Sequence, residues 1–204
     1  MAVPGTAAEP VSATSQTSVE TTRAAQPAPV LMVKTNALYD VLGAPNLALE
    51  LPIGQHHSVA VKYLFPWWKN SSDSWAAQIL DGSAEYRYWP GGNPRYSEQR
   101  LTWFVGALVG GGDYDWERHS KGYQGEFVKF GVDAGLIAPM SRHFRWEFSI
   151  GAGAMLTKYR RYEGMADNRY LVWKRNGHCR WYGPLEANVG VVYLLPMSKK
   201  GGDR

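Results

Sequence analysis

The chain has 204 residues, a formal net charge of +4 and 45% hydrophobic residues, with a mean hydropathy of −0.35. That length suits one domain with a substantial core, and no stretch approaches the roughly 18 apolar residues of a spanning helix. The single Cys179 excludes an internal disulfide and a cysteine metal cluster.

Residues 1–31 are rich in Ala, Thr, Ser, Pro and Glu and have no periodicity. They read as a disordered leader or linker. From about Val33 to Tyr193 the sequence alternates residue by residue. In Asn46–Ile53, Leu47, Leu49, Leu51 and Ile53 share one face, and Asn46, Ala48 and Glu50 the other. In Phe144–Met155, Phe144, Trp146, Phe148 and Ile150 oppose Arg145, Glu147, Ser149 and Gly151. A period of two means strands with unlike faces. Eight strands are predicted, over 33–42, 45–53, 58–67, 77–89, 100–112, 125–137, 143–157 and 180–194. Gly43-Ala44-Pro45, Gly54-Gln55-His56, Asn70–Asp73, Pro90–Pro94 and Pro139–Arg142 carry turn signals between them. The segments 110–124 and 158–179 read as long loops. The expected fold is all-β, an eight-stranded antiparallel up-and-down barrel over 32–196, with a polar C-terminal tail at 197–204.

The charged face is the informative one. A soluble barrel is apolar inside and polar outside, whereas here the apolar face is continuous and the acids and bases lie near mid-strand. That order fits a transmembrane barrel whose outside meets lipid. The lipid side would hold Leu47, Leu49, Leu51, Val59, Val61, Val105, Ala107, Val109, Phe130, Val132, Phe148, Ile150, Val189 and Val191. Aromatic residues gather at strand ends, as headgroup-level girdles require. Tyr86, Tyr88, Trp103, Phe144, Trp146 and Tyr193 fall at the inner rim, and Tyr39, Tyr63, Phe65, Trp67 and Trp181 at the outer rim. The inward parity carries glycines such as Gly106, Gly110, Gly131, Gly135, Gly151, Gly153 and Gly190, which leave room for long neighbours in a narrow bore. It also carries Lys34, Asp40, Glu50, Lys62, Glu85, Arg87, Lys129, Asp133, Arg145, Glu147 and Glu186. Isolated charges there would cost several kcal/mol. A network centred on Glu50, Lys62, Glu85, Arg87, Arg145, Glu147 and Glu186 is therefore expected to plug the lumen.

The run from Val33-Lys34-Thr35-Asn36-Ala37-Leu38-Tyr39-Asp40 through Leu49-Glu50-Leu51-Pro52-Ile53-Gly54, then Tyr63–Trp68 and Ala84–Trp89, resembles the DUF3575 family of outer-membrane barrels. The resemblance covers roughly residues 33–195 and is most specific in the first half. It implies a Gram-negative, OmpA/OmpX-like barrel of the cell envelope, and it brings no established activity and no catalytic residues. Two features depart from a typical mature barrel of this kind. No basic segment followed by an apolar one marks a signal peptide, and the chain continues past Pro196 instead of ending at an aromatic; Tyr193 would have to serve.

Other motifs are weaker. Adjacent His56 and His57 point to opposite faces and make a poor metal site, and Gly110-Gly111-Gly112 lacks the strand–helix setting of a phosphate cradle. Trp67, Trp68 and Trp75 suit interface anchoring better than sugar stacking. An enzyme acting on lipid A acyl groups would draw on His119, Ser120, Asp113, Asp115, Glu117 and His178. However, neighbouring His119 and Ser120 diverge in an extended segment, so a Ser–His–acid geometry is not implied. The basic residues Arg160, Arg161 and Arg175 read either as a solvated charge run or as contacts to lipopolysaccharide phosphates, which guanidinium forks match. The expectation is a non-enzymatic outer-membrane barrel with a structural or surface-interaction role. No catalytic residue, metal or cofactor is expected; the expected partner is outer-membrane lipid rather than nucleic acid, and no protein partner is specified. The alternatives are the lipid A-modifying enzyme and a soluble lipocalin-like barrel with an apolar pocket.

Overall fold

The computed structural model describes residues 30–70, 75–94, 100–118, 121–164 and 171–197. Its elements are β1 (Val30–Asn36), α1 (Ala37–Val41), β2 (Asn46–Ile53), β3 (His57–Leu64), β4 (Trp67–Asn70), β5 (Trp75–Tyr88), β6 (Thr102–Arg118), β7 (Lys121–Pro139), β8 (Phe144–Gly164) and β9 (Leu171–Pro196). Hydrogen-bonded neighbours run β3-β2-β1-β9-β8-β7-β6-β5-β4, and β3 also pairs with β5, so the sheet returns on itself in a ring. All pairings are antiparallel. Between β2 and β3 the chain reverses at Gly54, whose φ of 69° suits a residue without a Cβ.

The ring has nine strands among the described residues where the alternation predicts eight. The additional one arises at Phe65-Pro66. Pro66 has no N–H to donate, which interrupts the ladder. Its carbonyl still accepts from the Ile79 N–H at 3.1 Å. On either side of the break the register against β5 is unchanged, with Leu64 opposite Asp81 and Trp67 opposite Gln78.

Boundaries differ from expectation in three places. Val30 and Leu31, assigned from sequence to the leader, open β1; residues 1–29 and 198–204 lie outside the described residues. β1 stops at Asn36 rather than continuing to residue 42. The Asn36 side chain accepts the Leu38 N–H at 3.0 Å and caps α1. Asn46 accepts the Asn36 N–H at 2.6 Å and donates to Asp40 at 2.7 Å, holding the turn from the other side. Lastly, the segments read as long loops are mostly strand. β6 and β7 stay paired from Thr102 opposite Ile137 to Arg118 opposite Lys121, and β8 and β9 from Phe144 opposite Tyr193 to Gly164 opposite Leu171. The apolar alternation fades there, but ladders bond through backbone and do not require it. β1 meets β9 only along residues 190–196, so the wall is tall on the β5–β9 side and short at β1 and β2.

The β8–β9 ladder shifts register twice, between Arg161 and Tyr162 and between Gly151 and Ala152, and the second of these changes which side chains face in at mid-height. The β8–β9 register passes from Gly151 opposite Glu186 to Ala152 opposite Pro184, leaving Leu185 as the extra residue of a bulge. Pro184, lacking an N–H, is suited to such a break.

Candidate functional site

The interior of the ring is built in two layers. At the end where β1 begins, Val30, Met32, Trp89, Phe104, Ile137, Val192 and Leu194 form a buried apolar cluster. Trp89 and Phe104 approach to 4.9 Å between ring centroids, and the Arg87 guanidinium lies 4.0 Å over the Phe104 ring. These residues share the inward parity of the charges: Trp89 follows Arg87 by two, Phe104 precedes Gly106 by two, and Met32 precedes Lys34 by two. Parity alone places them inside, although their apolar chemistry is that of the lipid face and does not mark them as lumen residues.

Above this floor the charged side chains meet. Glu50 is fully buried and bonds Lys34 at 2.5 Å, Arg87 at 3.0 Å and the Ser58 hydroxyl at 2.5 Å. Glu147 bonds Lys34, Arg87 at 3.0 Å and the Asn188 amide at 3.1 Å. Glu85 bonds Arg87 and Lys62, and Lys62 reaches Glu186 at 2.5 Å. Lys129 bonds Asp81 at 2.5 Å. Trp89 ties the two layers together by donating to Ser58 at 2.8 Å. Of the seven residues expected at the centre of the network, six are joined in this way. The seventh, Arg145, is buried at the floor end, where it donates to the carbonyls of Ser141 and Phe144.

Asp40, expected inward, is exposed on α1, because β1 ends before it. Tyr39, expected in the outer girdle, also leaves the wall with α1 and lines a cavity of about 70 Å³ together with Lys34, Lys62, Arg87, Glu147 and Glu186. Burial raises the Tyr39 phenol above its ordinary value, and the negative Glu186 and Asp81 add to the effect.

Outside, the residues assigned to the apolar side are largely exposed: Leu47, Leu49, Leu51, Val59, Val61, Val105, Ala107, Val109, Phe130, Val132, Phe148 and Ile150, with Val189 and Val191 half-buried. At one rim His57 stacks on Tyr86, meets the tilted ring of Tyr88 at 5.3 Å and bonds the Tyr86 hydroxyl at 2.6 Å, while Phe144 packs on Tyr193 at 5.2 Å. Trp103 and Trp146 are exposed nearby. Toward the other rim Tyr63 and Phe65 stack at 6.5 Å, and Trp67 is exposed. Trp181 is a second departure among the rim aromatics, after Tyr39. Because of the bulge at Leu185 it shares a register row with Met155 and Lys129, the inward side, and Tyr182 takes the outward place beside Ala154 and Phe130.

The outward face changes character between two adjacent register rows. Gly82, Gly111, Val128, Leu156 and Arg180 form one; Leu80, Asp113, Glu126, Lys158 and His178 form the next. A cleft of about 760 Å³ runs along the polar row and includes Asp115, Gln124 and Arg160. Arg160 therefore faces outward, as does Lys158. Arg161 takes the opposite parity, pairs with Glu163 at 2.6 Å and sits 5.9 Å over the Tyr123 ring. Arg175 is exposed on β9. The three arginines thus do not share one face. Asp113, Asp115 and Glu117 lie on β6 and His178 on β9, rather than in loops, while His119 and Ser120 lie outside the described residues. No Ser–His–acid arrangement is assembled among the described residues. Nor do the described residues form a lipocalin-like pocket, since charged side chains occupy the mid-lumen where it would lie.

No curated protein matches this chain. A solved structure, a major outer membrane protein from Thermus thermophilus, overlays 82% of this chain and 98% of its own at 10% identity and a TM-score of 0.43, too loose a likeness to carry an argument. The family model described as "Protein of unknown function (DUF3575)" matches residues 12–195, nearly the whole ring together with part of the segment before it, and the chain belongs to that family.

Proposed function

We propose that this protein is a non-enzymatic outer-membrane β-barrel, in which β3 and β4 together make one of eight staves, with a structural or surface-interaction role. The observation that carries the reading is the height of the apolar belt. On β7 the outward residues Val128, Phe130, Val132, Ala134, Leu136 and Ala138 are bounded above by Glu126 and Gln124. Ten residue steps at about 3.4 Å each, tilted by about 40°, rise roughly 26 Å, which is the apolar height of an outer-membrane barrel. A water-soluble ring would have no reason to expose Val132 and Ile150, each 65% accessible, at mid-height.

The paired carboxylates and cations, the apolar floor beneath them and the small size of the cavity that remains support a plugged lumen. In this reading the tall β5–β9 wall projects beyond the lipid and presents the acidic and basic row. Lys158 and Arg160, facing outward beside the belt, are better placed for lipopolysaccharide phosphates than Arg161. Cell fractionation tests the proposal. The full chain should sediment with outer membranes, resist carbonate or urea extraction, and need detergent to stay monodisperse. A chain that remains monodisperse in plain buffer would refute it.

A further inference from the structure

Among the described residues six carboxylates converge in the mid-lumen, and five of them have a cation. Glu50 and Glu147 share Lys34 and Arg87; Glu85 has Arg87 and Lys62; Glu186 has Lys62; Asp81 has Lys129. Asp133 is only 4% exposed, and neither of its carboxylate oxygens receives an N–H or O–H donor; its polar neighbour is the carboxylate of Glu85, a second acid. A buried carboxylate in that condition calls for a physical explanation. The charge balance of this layer supplies one: six acids against the four cations bonded to them, Lys34, Lys62, Arg87 and Lys129, leave a formal excess of two negative charges.

The excess is localised. One oxygen each of Glu85, Asp133 and Glu186 lies within 4.8 Å of the other two. The space around them is kept open by glycine. In one register row Arg87, Gly106, Asp133, Gly151 and Glu186 follow each other across five strands, large and small in alternation. A Cβ on Gly106 would collide with the Asp133 carboxylate and stand 3.1 Å from Glu85 Oε1. One on Gly151 would stand 3.0 Å from Glu186 Cγ and 3.3 Å from Asp133 Cβ. The two glycines thus admit a carboxylate cluster that any other residue would crowd.

We infer that Glu85, Asp133 and Glu186 form a binding site for a divalent cation, with Asp133 as its principal ligand. The added charge cancels the excess of two. Calcium fits better than magnesium, because oxygen ligands at about 2.3–2.6 Å in flexible geometry accept an irregular carboxylate set, while magnesium keeps its waters and demands an octahedron. Lys62 bridges Glu85 and Glu186 on one side, leaving Asp133 to bind through both oxygens.

The test uses the full chain purified in detergent micelles and stripped with EDTA, with calcium alone as the probe. Calorimetric titration should find one saturable site per chain, and calcium should raise the unfolding temperature. Asp133→Asn and Glu186→Gln should each weaken binding by about tenfold or more, while Asp113→Asn on the outer face should leave it unchanged. If Asp133→Asn does not fold, Glu186→Gln at the more accessible end decides alone. Absence of saturable binding overturns the inference, as does equal affinity in Asp133→Asn. So does an Asp133→Asn protein that is more stable and indifferent to calcium, the sign of a carboxyl that holds a proton instead.

Discussion

Arg87 serves three carboxylates at once, Glu50, Glu85 and Glu147, while stacked on Phe104 and 2% exposed. Its planar fork allows this where a lysine ammonium would have to choose. Removing one partner from a buried ionic cluster leaves the others uncompensated, at a cost of about 3–5 kcal/mol. Arg87→Met should therefore lower the urea midpoint of unfolding, followed by tryptophan fluorescence in micelles, by that order. Arg161→Met is the contrasting case. Its pair with Glu163 is about one-third exposed, and screening by water limits the loss to below about 1 kcal/mol. Equal effects of the two substitutions would contradict a buried, mutually dependent network.

At the scale of an element, β7 carries both faces of the ring in a single strand. Val132 lies in the middle of its outward row, next to Asp133 on the opposite parity, and Gln124 lies beyond the apolar part. An arginine on the lipid side costs about 2–4 kcal/mol at mid-depth and about 0–1 kcal/mol near an interface. Val132→Arg should thus reduce folding into lipid vesicles far more than Gln124→Arg, as read by protection from protease and by unfolding midpoint. If the two were alike, the belt would not be facing lipid. The bulge on β9 shows how one residue redirects an element: Leu185 takes an additional place between Pro184 and Glu186, packs over Gly131 and Gly153, and sends Trp181 to the opposite face from the one that strict alternation assigns.

For the whole molecule, the proposed plugged lumen has a measurable consequence. A lumen with an apolar floor, a paired charge layer and a cavity of about 70 Å³ leaves little room for a continuous water path of ionic width. Planar-bilayer recordings should find no stable, large, ion-selective conductance. Such a conductance would overturn the plugged-lumen reading while leaving the membrane location intact. The tall side of the wall places Asp113, Glu126, Lys158 and Arg160 beyond the belt on paired strands rather than on free loops, so whatever meets this surface meets a preformed one.

Strand identity and the face of most residues were legible in the sequence, because a pleated chain assigns sides by parity alone. Leu49 against Glu50 and Phe148 against Glu147 needed no coordinates. Parity also brought Glu50, Lys62, Glu85, Arg87, Glu147 and Glu186 to the same interior. It could not reveal where parity fails or where a ladder outlasts its apolar signal. The α1 turn at Asn36 took Tyr39 and Asp40 off the wall, the Leu185 bulge reversed Trp181, and backbone pairing carried β6 to β9 through segments with polar residues on both faces. Which acid goes without a cation was likewise decided by tertiary structure. Asp133, Glu85 and Glu186 come from three strands separated by tens of residues, and only closure of the ring sets their distances.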